Sequence, residues 1–149
     1  MHTGEFEMAW SSQVSWWLAD ELGSAATARR LTRATLADWG FENQVEVAEL
    51  LVSELVGNAL DHGRGRVRLS FFTRDGLLRC EVEDADPELP RMSAADLDAE
   101  DGRGLFLVDV LSHGWGGVPT ARGKAMWFEL PEFADADVES LDALAPIAA

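Results

Sequence analysis

At 100° per residue, Glu54, Asn58 and Asp61 fall within about 60° of one another, provided that the run around them is helical. They border directly on Leu51, Leu55 and Ala59, which places them at the rim of an apolar face. Side chains at i and i+4 project side by side, so Glu54 can serve as a carboxylate base while the Asn58 amide oxygen is offered to a hard cation such as Mg²⁺. That pairing suits phosphoryl chemistry. The same spacing also describes the edge of a solvated helix face, and spacing alone leaves both readings open. His62 reads as a helix C-terminal residue that interacts with the dipole. His2, His62 and His113 show no ligand spacing, so no histidine metal cluster is expected.

A second group follows. Leu78, Cys80 and Val82 share a parity that Asp84 continues, so its carboxylate points towards the core layer and needs a partner there. A purine amine is one donor that fits; a neighbouring helix or water is another. Gly102 and Gly104 precede the apolar run Leu105–Leu111, where free N–H groups and a helix N-terminus can approach a phosphate. Arg103 and Lys124 are candidate charge partners for that phosphate, or plain surface residues. Neither a Walker A motif nor the full dinucleotide fingerprint is present.

These residues need elements to hold them. Ser15–Leu18 reads as an edge strand, and Ser24–Trp39, closed by Gly40, as a helix with a glycine C-cap. Asn43 and Glu46 have the spacing of a capping box in front of a helix over Val45–Leu60. Arg66–Thr73 alternates as a half-buried strand. Asp75-Gly76 then signals a hairpin turn into a returning strand. The 17 residues from 85 to 101 form a loop too long for a passive connection. Leu105–Leu111 is helical, and extended segments lie around Trp115 and over Lys124–Leu130. The expected architecture is α+β: a two-layer sandwich with helices on one face of a mixed, mostly antiparallel sheet.

The 149 residues are 47% hydrophobic and 26% charged, a globular balance, with residues 1–14 as an N-terminal extension, 15–131 as one domain and 132–149 as an acidic tail. The net charge of −15 opposes binding to nucleic acid. Residues 81–101 alone carry nine acids and one base. No apolar stretch approaches the ~20 residues that a bilayer requires, so no membrane is expected, and a cytoplasmic location follows. Cys80 is the one cysteine, which excludes an internal disulfide. Most of the six Trp are expected in the core.

Taken together, Glu54-Leu55-Val56-Gly57-Asn58-Ala59, Asp84 at a strand end and Gly102-Arg103-Gly104-Leu105 resemble, in order and spacing, the nucleotide-binding boxes of the GHKL (Bergerat-fold) ATPases. The small actinobacterial regulators similar to anti-sigma-factor serine/threonine kinases look nearest, over about Trp16–Leu130. The resemblance implies ATP and Mg²⁺ as cofactors. By it, Glu54 is the general base, Asn58 holds Mg²⁺, Asp84 accepts from the adenine amine, and Gly102, Arg103, Gly104 and Leu105 close over the phosphates beneath a short lid, residues 85–101. It further implies a protein partner, a sigma factor or an anti-sigma-factor antagonist phosphorylated on serine or threonine, and a possible homodimer. The chain departs from the family's D-x-G-x-G, reading Asp84-Ala85-Asp86-Pro87-Glu88, and Ala125 takes the place of a supporting Thr. These departures favour a rival reading, an interaction module of the same fold with weak or absent nucleotide binding. A detached histidine-kinase catalytic domain is a third reading, disfavoured by the short lid.

Overall fold

The computed structural model describes residues 9–19, 23–62, 65–89 and 100–133. The expected N-terminal extension and acidic tail lie largely outside them, as does the middle of the expected lid.

The elements run β1 (Ser12–Leu18), α1 (Ser24–Trp39), a 3₁₀ turn (Glu42–Gln44), α2 (Val45–His62), β2 (Val67–Arg74), β3 (Leu77–Asp84), α3 (Glu100–Leu111), β4 (Gly114–Pro119) and β5 (Lys124–Pro131). The strands form one sheet in the order β1-β2-β3-β5-β4. Each of the four pairings is antiparallel, so the sheet expected to be mixed contains no parallel pair among the described residues. The helices cover one face.

Local sequence explains most of this. α1 ends at Gly40, whose φ of 84° suits a residue without Cβ and whose N–H donates to the Leu36 carbonyl. Its inward stripe is Ala28, Thr32, Thr35 and Leu36; the Thr32 hydroxyl donates to the Ala28 carbonyl, which satisfies a buried polar group. The β2–β3 turn has positive φ at both Asp75 (47°) and Gly76 (78°), matching the right-handed twist of the strands it joins. α2 packs against α1, α3 and the sheet, and this central position accounts for its wide buried face of Leu51, Val52, Leu55, Val56 and Ala59. From the sheet, Leu69, Phe71, Leu78, Cys80, Val82, Phe128 and Leu130 close the same core.

Three expectations are corrected. Asn43 and Glu46 form no cap, because Asn43 lies inside a 3₁₀ turn that runs directly into α2. Gly102 and Gly104 do not precede their helix; α3 begins at Glu100, so both glycines lie within its opening turns. None of the six Trp is fully buried. Trp16, Trp39 and Trp115 pack against the core from its margin, whereas Trp17, on the other parity of β1, is 42% exposed on the uncovered face of the sheet.

Candidate functional site

Glu54 and Asn58 stand half-buried on the same side of α2, one turn apart, above the buried Leu55 and Ala59. Asp61, one turn further, is exposed, and the side chain of His62 lies outside the described residues. Between the two site residues, a Cβ placed on Gly57 would meet nothing within 4 Å. The rim is therefore open at this point. Asn58, one turn from the Glu54 carboxylate, is a residue type that would hold Mg²⁺ through its amide oxygen.

Asp84 closes β3 and is almost completely buried, as its parity requires. Its register partner on β5 is Lys124. The Lys124 ammonium Nζ lies 3.0 Å from Asp84 Oδ1, and both side chains are nearly inaccessible to solvent. The Asp86 N–H donates to the same Oδ1 at 2.8 Å, and Nζ donates onward to the Asp86 carbonyl at 3.2 Å. Oδ2 accepts no hydrogen bond from any described residue, so one oxygen is left for a further donor. The Asp84 carboxylate is thus not free on both oxygens, and any further donor would have to reach Oδ2.

Lys124, read from sequence as a phosphate partner or a surface residue, is instead the counter-ion of Asp84. Its parity with Met126, Phe128 and Leu130 is the signal that places it inward. Ala125 does not stand beside Asp84; it is paired with Glu83, and the contact to Asp84 comes from Lys124. Gly123 is required here as well. A Cβ on it would lie 2.2 Å from the Asp84 carbonyl oxygen and 2.5 Å from the Ala85 carbonyl carbon, so the β4–β5 loop can press onto the end of β3 only through a glycine.

Of the two carboxylates that replace the expected glycines, that of Asp86 turns back into its own loop. Asp86 Oδ1 accepts from the Glu88 N–H at 3.0 Å, which continues the turn that Asp84 begins. Glu88 itself is exposed. On α3, Leu105 is a core residue that anchors the helix against α2; the side chain of Arg103 lies outside the described residues. Since α2 contacts both α3 and β3, the three elements carrying Glu54 and Asn58, Asp84, and Gly102–Leu105 are packed together.

Residues 18–114 match the model of the histidine kinase-like ATPase domain. The chain belongs to this family. As a histidine kinase-like ATPase domain of the GHKL type, it carries an implied ATP site, usually completed by Mg²⁺. The match stops at the first residue of β4, so Gly123 and Lys124 fall beyond it. Among solved structures, the histidine kinase domain from Erythrobacter litoralis EL346 blue-light activated histidine kinase is similar, with a TM-score of 0.52 at 19% identity. The similarity covers 78% of this chain and 64% of that one, so this chain spans less than two thirds of that domain's length. It shows the shared α+β fold. No curated protein matches the chain.

Proposed function

We propose that this ATPase domain is an ATP-binding cytoplasmic regulator similar to the anti-sigma-factor serine/threonine kinases, transferring phosphate to a serine or threonine of a partner antagonist protein. The observation that carries this is Glu54 and Asn58 on adjacent turns of α2, half-buried, with open space at Gly57 between them. Asn58 holds Mg²⁺ against the phosphates, and Glu54 takes the proton of the attacking hydroxyl. Asp84 receives the adenine amine, and Gly102, Arg103 and Gly104, in the opening turns of α3, face the phosphates while Leu105 anchors that helix to the core. A sigma factor is the second partner. The test is incubation of the protein with γ-labelled ATP and extract of its own cells. Acid-stable label on a protein, absent with Glu54→Gln, supports the reading; acid-labile label points to histidine transfer instead, and label unchanged in Glu54→Gln overturns the base.

A second reading is favoured by the Lys124–Asp84 contact, which already fills one side of the base-binding carboxylate. In it the chain is a protein-interaction module with weak or absent nucleotide binding. Calorimetric titration with Mg·ADP and Mg·ATP separates the two. Micromolar binding supports the kinase reading, and no heat from a folded sample supports the module.

A further inference from the structure

The sheet face opposite the helices carries a charge of the wrong sign for this chain. Energetically significant cation–π contacts occur roughly once per 70–80 residues. Five are present among the described residues, all on this face, and three converge on Trp17. The Arg66, Arg68 and Arg122 guanidinium carbons lie 4.6, 5.5 and 4.4 Å from its ring centroid. Arg68 and Arg122 share one carboxylate, the buried Glu83, at 3.0 and 3.5 Å. Arg66 pairs with no carboxylate among the described residues. Among the described residues the cluster thus keeps a surplus of two positive charges around an indole that is 42% exposed.

The cluster continues across the face. Arg79 lies over Trp127 at 4.1 Å and Arg74 over Trp10 at 5.0 Å. Five of the chain's 12 basic residues therefore gather here: Arg68, Arg74 and Arg79 balance Glu81, Glu83 and Glu129 in number at the outward strand positions, and Arg66 and Arg122 add to them from the strand ends. Arg79 is neutralised by Glu81 and Glu129, so the unbalanced charge sits at the Trp17 end. No described helix covers it.

We propose that the Trp17 cluster is a docking surface for an acidic segment of a protein partner. Guanidinium groups bind carboxylates through paired, charge-assisted hydrogen bonds, and an exposed indole supplies the apolar floor; Trp and Arg are the residues that dominate binding energy at interfaces. Charge complementarity selects the occupant. A chain of net charge −15 repels an extended polyphosphate backbone over most of its surface, whereas a short run of Asp and Glu engages only the local positive field.

The test is fluorescence anisotropy of labelled deca-glutamate with the full chain at low and at physiological salt. Saturable binding that weakens with salt is expected. Trp17→Ala and Arg66→Glu should each weaken it at least fivefold at an unchanged melting temperature. Arg30→Glu, which makes the same charge change on α1, should alter it less than twofold. Absence of saturable binding, or equal loss with Arg66→Glu and Arg30→Glu, overturns the proposal. Tighter binding of a ten-nucleotide single strand overturns the choice of a protein segment. A dimer that Arg66→Glu dissociates, without peptide binding, assigns the face to a second copy and overturns it likewise. Should Trp17→Ala fail to fold, Arg66→Glu decides alone.

Discussion

Lys124 and Asp84 form a buried ion pair across the β3–β5 pairing, 3.0 Å from Nζ to Oδ1. Removing one partner of such a pair leaves an uncompensated charge in the interior and costs about 3–5 kcal/mol. Lys124→Met and Asp84→Asn alone should each fall at or near that range, the second less because its amide oxygen can still accept from Asp86. The double substitution removes both charges and should recover most of the loss. Urea denaturation of the three variants measures this, and additive single losses would show that the pair is not coupled. The neutral double variant is also the cleaner background for testing base recognition, because nucleotide binding lost in Asp84→Ala alone reports damage to the fold as readily as loss of a contact.

Glu54 is half-buried, and no described residue forms an ion pair with it, so its replacement should be structurally mild. Glu54→Gln should lower phosphotransfer by about 10²–10⁴-fold, the usual contribution of a positioned general base, while calorimetric binding of Mg·ADP stays within twofold. Asn58→Ala should show the opposite order, with Mg²⁺-dependent nucleotide affinity falling first. A Glu54→Gln protein that loses nucleotide binding and transfer together would show that this carboxylate supports the pocket rather than the chemistry.

How much of this was legible in the sequence follows the range of the forces involved. Ser24–Trp39 with Gly40, and the Asp75-Gly76 hairpin, are set by local backbone preference, and sequence and structure agree there to the residue or nearly so. Helical and strand periodicity put Glu54 and Asn58 at the rim of the α2 core face and Asp84 inward on β3, where the structure has them. The failures depend on partners distant in the chain. Lys124 meets Asp84 only because β5 inserts between β3 and β4, an order that no local pattern specifies. Hydrophobicity alone expects most of the six Trp in the core and does not single out Trp17, whose parity on β1 opposes that of Leu18 and turns it outward to Arg66, Arg68 and Arg122. Asn43 had the right residue type for a cap, but the 3₁₀ turn at Glu42–Gln44 already supplies the helix entry.

Two glycines should respond oppositely to alanine. At Gly123 a Cβ would overlap the backbone of Asp84 and Ala85, atoms that cannot yield without shifting the end of β3. Gly123→Ala should therefore cost on the order of 2–3 kcal/mol, as overpacking against a rigid neighbour does, and should disturb the Lys124–Asp84 contact. Gly57 lies in mid-helix with open space around its Cβ position, so Gly57→Ala should stabilise the fold by about 0.5–1 kcal/mol. Because that space adjoins Asn58, the same variant should weaken Mg·ATP binding if the phosphates occupy it. Denaturation and calorimetry on one pair of variants check both statements.

Cys80 provides the pH-dependent prediction. It is completely buried between the sheet and α2, and burial pushes its thiol well above the ordinary value of 9.0; the neighbouring Glu81 carboxylate adds to this, and the Arg79 guanidinium opposes it. The native thiol should thus remain protonated and react with iodoacetamide at pH 8 at least 100-fold more slowly than the urea-unfolded chain, since the thiolate is the reactive form. Below the ordinary value both folded and unfolded chains hold the proton, and Cys80 gives pH no influence on stability. As pH rises past 9.0 the unfolded chain loses its proton while the folded chain retains it, so this group makes stability fall with rising pH. Cys80→Ala, despite the cavity it leaves, should show a shallower decline between pH 8.5 and pH 10.5 in denaturation series run on both proteins. Equal slopes would mean that the thiol ionises as readily in the fold as outside it.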